Sequence, residues 1–291
     1  MKQICVIIFM LLCQQMWAQK IFVTMSFLAL MIAAQAQTET IDTALFVAVY
    51  DYECRTTDSE GQGIVDKMQI VVQMGQAVTK SMPRSNYRLP NQKKDVVTAY
   101  QEEFLHMPTI WIGWPEEKTT VREFIFPYEF ESSESTPEIH WKLIDDTLTV
   151  SGYRCQKAIA TFRGVEWCAS YTEEVPLSAG PWRLRGLPGL IVKVENKAHT
   201  FRLVELRQEY TPITFERNPD VQKSTYEKLL KYRNKIYGDR RYAKNPIYYV
   251  PDIHKSIKNM SVLNDGGRQI IIANGRPLLT KSHVYQPLEL K

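Results

Sequence analysis

Recognisable catalytic signatures are missing from this sequence. It has no Cys-x-x-Cys, no two histidines at i and i+4, no Gly-x-Ser-x-Gly, no His-Glu-x-x-His and no glycine-rich phosphate loop. Without thiolates or imidazoles at ligand spacing there is no zinc set. Without the loop there is no preformed cradle for a nucleotide phosphate. The five histidines, His106, His140, His199, His254 and His283, are scattered. Charge of one sign is lacking too: 36 Lys and Arg face 32 Asp and Glu. A near-neutral chain gives no reason to expect nucleic acid, whose binders concentrate cations on one face. The pattern calls for no cofactor.

Residues 1–36 carry Lys2 and Lys20 and no acid. Two apolar runs follow those lysines, Ile4–Leu12 and Ile21–Ala34, each short of the ~20 residues a membrane span needs. The second leads into Ala34-Gln35-Ala36, the small-x-small pattern of a signal-peptidase site. The expectation is an exported protein cleaved after Ala36, with translation starting either at Met1 or near Met25. Leu11-Leu12 before Cys13 lacks the small residue of a lipidation site. Residues 37–291 then form one β-rich domain of 255 residues with a net charge of +2, enough for a full core. Its cysteines are Cys54, Cys155 and Cys168, and export permits one disulfide.

Along the chain, strand patterns dominate. Ala44–Tyr50 is apolar on both faces, which predicts a strand covered on both sides. Lys67–Met74 is a second strand, turning at Gly75-Gln76 into Ala77–Lys80. Residues 81–95, with Pro83 and Pro90, read as a long surface loop, and Val96–Leu105 has helical spacing. Residues 107–130 are rich in aromatics, either a core layer or a surface for sugar or lipid. Within them Ile110–Ile112 and Val121–Phe126 read as paired strands. Residues 131–138 read as a loop. Trp141–Ile144 and Leu148–Val150 read as a hairpin turning at Asp145-Asp146.

Tyr153–Phe162 and Val165–Thr172 form another hairpin, with Gly164 supplying the positive φ of a two-residue turn. Opposed residues then sum to 327. One face collects Ala158, Ala160, Phe162, Val165, Trp167, Ala169 and Tyr171. In this register Cys155 and Cys168 stand roughly 13 Å apart along the ladder, too far to bond. Any disulfide therefore has Cys54 at one end, with either Cys155 or Cys168 at the other. Further on, Leu190–Glu195 and Thr200–Tyr210 pair so that Val194 faces Phe201. Residues 211–219 read as a loop. Asp220 then caps a helix to Tyr237 whose exposed side includes Lys228, Lys231, Arg233 and Lys235, ending at Gly238. Residues 239–268 look irregular, and Gln269–Ala273 is a last strand.

Glycine and proline are densest in Gly180-Pro181-Trp182-Arg183-Leu184-Arg185-Gly186-Leu187-Pro188-Gly189-Leu190-Ile191. Leu187-Pro188-Gly189-Leu190 fits a type II turn, with positive φ expected at Gly189. Upstream stand Gly152-Tyr153-Arg154-Cys155-Gln156-Lys157-Ala158, the aromatic run Trp167–Tyr171, and Glu174-Val175-Pro176. In order and spacing these resemble the GLPGLI family, which takes its name from this motif and occurs in Bacteroidetes-type bacteria. Ser170 departs from it, standing where the family tends to carry an aromatic. The resemblance implies an exported protein and brings no assigned reaction. It singles out Cys155, Lys157, Gly180, Pro181, Gly186, Leu187, Pro188 and Gly189 as candidate functional or structural positions. No position is assigned as catalytic, cofactor-binding or metal-binding.

The fold expectation is mainly β with a few accessory helices: a curved antiparallel sheet or half-barrel, of the kind found in lipoprotein carriers (LolA-like). Three functional readings follow. The first is a non-enzymatic periplasmic carrier of an apolar small molecule or lipid. The second is an accessory protein docking an outer-membrane partner through a sheet edge or loop. The third is a secreted hydrolase using a buried Lys157 as base or Cys155 as nucleophile.

Overall fold

The computed structural model describes residues 37–57, 61–87, 107–125, 128–238, 260–265, 268–273, 276–277 and 284–290. Two compact units are present. The described part of the smaller comprises residues 37–39 and 215–219, and within it Arg217 pairs with Glu39 at 2.7 Å. The larger, Thr40–Thr214 with Asp220–Lys291, carries the aromatic ridge, the motif corner and the charge cluster described below.

The fold is one open, curved, mainly antiparallel sheet of twelve strands. A first meander contains β1 (Gln37–Thr57), β2 (Gly63–Met74), β3 (Thr79–Pro83), β4 (Thr109–Ile112), β5 (Lys118–Ile125) and β6 (Tyr128–Ser135). A second contains β7 (Lys142–Val150), β8 (Tyr153–Phe162), β9 (Val165–Thr172), β10 (Leu190–Glu195) and β11 (His199–Arg217). The two join where β1 lies beside β11, and β12 (Gln222–Ser224) adds a short parallel edge next to β6. One helix, α1 (Tyr226–Tyr237), follows. A separate small sheet holds β13 (Met260–Asp265), β14 (Arg268–Ala273) and β15 (Arg276–Pro277).

The expectation of a mainly β, curved antiparallel sheet holds, with one α-helix among the described residues where a few accessory helices were expected, and much of the register was readable. Phe162 faces Val165 and Ile159 faces Cys168, the predicted pairing. Gly164 turns at φ 80° and Arg163 at φ 52°. Val194 faces Phe201. Val47, Val49, Ala48 and Tyr50 are all buried, as a strand covered on both sides requires.

Several boundaries differ. The first part of the expected 81–95 loop completes β3, because Ser81 pairs with both Val72 and Ile110. Residues 131–135 belong to β6, since a full ladder to β5 outweighs their polar composition. Asp145-Asp146 is a bulge inside a continuous β7, not a hairpin turn. β11 runs through Pro212, whose carbonyl accepts a hydrogen bond from Gln73. Residues 260–265 form β13 rather than irregular chain. The helix begins later than expected: Thr225, not Asp220, is its cap, accepting from the Lys228 N–H. Thr225→Ala is expected to lower stability by about 1 kcal/mol, read as an earlier urea midpoint at unchanged slope. Cys54, Cys155 and Cys168, for which a disulfide was possible, are free thiols here. The helical spacing at Val96–Leu105 falls outside the described residues.

One face of the sheet carries an aromatic ridge. Tyr52 stacks on Phe201 with centroids 4.6 Å apart. Phe201 meets Trp167 at 6.1 Å, Trp167 meets Trp182 at 5.9 Å, and Trp182 meets Phe162 at 5.9 Å. The core continues into segments outside the sheet: Leu184 and Leu187 from the motif, Leu229 and Ile236 from α1, and Leu288. Of the aromatics at 107–130, Trp111 is a core residue, 3% exposed, with its indole N–H on the Thr214 carbonyl at 3.0 Å.

Candidate functional site

The Gly/Pro-rich motif is a tight corner between β9 and β10. The Leu190 N–H reaches back to the Val175 carbonyl, and the Ile191 N–H to the Ala179 carbonyl, both at 3.0 Å. The expected positive φ at Gly189 is not there; it occurs at Gly186 (94°) and Trp182 (56°). Gly189 is needed for a different reason. A Cβ on it would lie 2.0 Å from the Thr172 carbonyl oxygen, so β9 and the motif approach closely only with hydrogen there. Gly180 is under the same restriction, 2.5 Å from the Leu184 carbonyl. Pro181 and Leu187 are buried, and Pro188 is exposed.

The left-handed turn at Trp182 seats its indole among Phe162 and Trp167 and its N–H on Ser81 Oγ at 3.1 Å. The next side chain, Arg183, is thereby driven into the interior and is 3% exposed. Its guanidinium lies over the Tyr226 ring at 4.5 Å. Nη2 pairs with Glu134 of β6, and Nη1 is 3.4 Å from Glu289.

Four further elements supply the rest of a buried charge cluster. α1 presents Tyr226 and Arg233, seven residues and thus two turns apart on one face. The Tyr226 hydroxyl donates to Glu289, and Arg233 Nη1 lies 3.2 Å from the same carboxyl. β5 contributes Glu123, with Oε2 3.1 Å from Arg233 Nε. The turn between β8 and β9 brings Arg163, whose Nη2 is 2.7 Å from both Glu134 oxygens. Segment Val284–Leu290 carries Glu289, 1% exposed. Three carboxyls thus face three guanidiniums.

The donors are not all used. Arg183 Nε is buried with no hydrogen-bond partner, whereas Arg233 also faces Glu123 and Tyr285. A buried donor without a partner costs about 1–3 kcal/mol. Burial dominates the carboxyls as well. It pushes Glu123 up to about 7 against the pull of Arg233. It also pushes Glu289 up to about 7 against Arg183 and Arg163, with Glu123 adding to the rise.

Segment Val284–Leu290 is laced across the fold. The Val284 N–H donates to the Thr57 carbonyl at 2.9 Å, and the Leu290 N–H to the Arg163 carbonyl at 2.8 Å. The Pro287 carbonyl is 3.3 Å from His199 Nε2, whose Nδ1 meets the Tyr52 hydroxyl at 2.9 Å. Burial pushes His199 down to about 4, so it is neutral in this setting.

The sequence-selected residues divide. The motif glycines and prolines build the corner that delivers Arg183. Lys157 and Cys155 share no hydrogen bond with the cluster. The Lys157 amine pairs with Asp146 on a partly exposed surface, and that carboxylate raises its pKa. Cys155 donates weakly to its own strand, to the Tyr153 carbonyl at 3.5 Å, and burial raises its thiol. A base needs a lowered amine and a nucleophile a lowered thiol; both shifts run the other way. Arg233, expected on the solvent side, is 3% exposed, since it falls on the stripe of Tyr226, Leu229, Leu230, Ile236 and Tyr237. That stripe was a readable signal. So was the alternation placing Glu123 between Val121 and Ile125, and the Leu288-Glu289-Leu290 sandwich. Among the described residues, no group of three or more His, Cys, Asp or Glu is arranged to hold a metal ion.

No family model and no curated protein matches the chain. Among solved structures it is similar to PNGF-II in a P21 crystal, at 14% identity and a TM-score of 0.43 over 77% of this chain and 35% of that one. The C2 crystal of PNGF-II gives 12% and 0.40 over 75% and 35%. The chain therefore spans about a third of the PNGF-II chains it matches. A LolA-superfamily protein from Nitrosomonas europaea matches at 9% identity and a TM-score of 0.24, over 57% of this chain and 87% of that one.

Proposed function

We propose that the chain is an exported, non-enzymatic carrier or binding protein for an apolar ligand, and a member of the GLPGLI family. The observation that carries this reading is the way the aromatic face of the sheet is covered. Among the described residues, the motif corner, α1 and segment Val284–Leu290 pack into the same core as that face. That cover is held by the ion pairs of Arg183 and Arg233 with Glu289 and by the buried Leu184, Leu187, Leu229, Ile236 and Leu288. Lifting part of it would open a surface lined by Tyr52, Phe162, Trp167 and Phe201, which suits a hydrocarbon or ring system.

Native mass spectrometry of protein purified without detergent tests this. The expected spectrum contains a population heavier by one apolar small molecule, which is lost on solvent extraction. A clean unliganded mass, with no adduct after incubation with lipid extract, counts against it. Export after Ala36 predicts a mature chain beginning at Gln37 by N-terminal sequencing; a retained leader in the secreted fraction contradicts that.

A second reading, docking of an outer-membrane partner, draws on the sheet edge. β7 has β8 as its single neighbour, and Leu143 on it is 55% exposed. An open strand edge is a template for a partner strand. A photo-crosslinker at Leu143 that captures no outer-membrane protein removes this reading.

A further inference from the structure

We infer that the paired guanidiniums of Arg183 and Arg233 form a head-group site for an anionic amphiphile with a carboxylate head, and that Glu289 occupies this site as an internal stand-in. The inference rests on the carrier reading and names the ligand class.

Four observations converge. Glu289 reaches the guanidiniums on a segment that belongs to neither sheet and is tied to the fold by backbone hydrogen bonds to Thr57 and Arg163, so the group filling the site comes from a different element than the arginines that bind it. The fit is that of a carboxylate: one oxygen takes Arg233 Nη1 and the Tyr226 hydroxyl, and the other takes Arg183 Nη1. A donor remains after this, since Arg183 Nε is buried without a hydrogen-bond partner. The site therefore offers more N–H groups than Glu289 satisfies. The surroundings beyond the charges are apolar, with Phe162, Trp182 and Leu229 in the same core.

Charge decides the sign of the head. Counted by residue, Arg163, Arg183 and Arg233 face Glu123, Glu134 and Glu289, with burial raising Glu123 and Glu289 to about 7. Withdrawing Glu289 removes one of these carboxyls and leaves buried guanidiniums with less compensation, which is strongly unfavourable. A neutral alcohol or sterol entering beside the aromatic ridge does not correct this. A carboxylate does, and the planar guanidinium fork matches it geometrically.

The experiment compares dodecanoate, dodecanol and dodecyltrimethylammonium by calorimetry, using full-length wild-type protein and Glu289→Gln. The glutamine keeps the shape of the stand-in and removes its charge. Dodecanoate is expected to bind Glu289→Gln about tenfold more tightly than wild type, and about tenfold more tightly than dodecanol binds the same variant. The ammonium amphiphile is expected not to bind. Arg183→Met should erase the preference for carboxylate. Should that variant fail to melt cooperatively, Arg183→Lys, which keeps the charge and loses the fork, should reduce it. Equal affinity of Glu289→Gln for dodecanoate and dodecanol overturns the head-group site and leaves the carrier reading standing. A carboxylate preference that Glu289→Gln does not strengthen places the head elsewhere and also overturns it. Binding of none of the three probes to either protein overturns both.

Discussion

Gly189→Ala is expected to cost at least about 3 kcal/mol, at the upper end of overpacking effects, and Gly189→Asn at least as much. The added Cβ would sit 2.0 Å from the Thr172 carbonyl oxygen and 3.0 Å from the Glu173 nitrogen. These are backbone atoms of the chain leaving β9, so they cannot rotate away as a flexible side chain would. Gly186 provides the control. It has φ 94° and nothing nearer than 3.8 Å to an added Cβ. Replacement there meets conformational strain alone, roughly 1 kcal/mol, and asparagine should be tolerated better than alanine because it visits left-handed backbone more readily. Urea unfolding of the four variants separates the two causes. If Gly189→Asn is as mild as Gly186→Asn, close approach is not what the glycine serves.

Arg233→Met is expected to destabilise by about 3–5 kcal/mol, because it leaves Glu123 and Glu289 buried with less compensation. The same carboxyls impose a pH dependence on the native protein. Both stand at about 7 when folded against an ordinary 4.5. Between those values the folded chain holds protons that the unfolded chain has released. Their stabilising contribution is therefore complete below about pH 4.5 and is lost as the pH rises through 7. The difference is worth roughly 3 kcal/mol per carboxyl, and the two titrate as a coupled pair. His199 opposes them. Its pKa falls from 6.5 to about 4 on folding, so its contribution is lost as pH drops through 4 and is complete above about 6.5. Glu123→Gln should flatten the decline between pH 4.5 and 7, whereas His199→Gln should steepen it. Unfolding free energies at half-unit pH intervals give the slopes. Identical slopes for wild type and Glu123→Gln would exclude a protonatable Glu123 from the core.

The corner at 180–191 shows how local and tertiary information divide. The concentration of glycine and proline announced a sharp turn, and a turn is there. The reason for Gly189 was misassigned, because local sequence encodes preferred dihedrals but not which strand passes within 2.0 Å. The same limit applies to Lys157. Its register opposite Ser170 was readable, yet the amine pairs with Asp146, a residue brought near by a bulge that the sequence presented as a turn. Asp145-Asp146 is good turn chemistry, and β7 overrode it by continuing its ladder on β8.

What the sequence determined by itself follows from short-range physics. The period-2 alternation fixed the strands and the 327 register of β8 on β9. The glycine at 164 fixed their turn, and the length of residues 37–291 left room for a β-rich core. What only the tertiary structure decided is the charge cluster. Its members stand at 123, 134, 163, 183, 233 and 289, on five elements and one trailing segment. Each carried a local sign of burial at most, such as Arg233 on an apolar helical stripe or Glu289 between leucines. Whether such a residue lies inside depends on whether an opposite charge arrives from elsewhere to offset its desolvation. That pairing is a property of six distant positions at once, and it exists only when the sheet has folded and the corner at Trp182 has turned Arg183 inward.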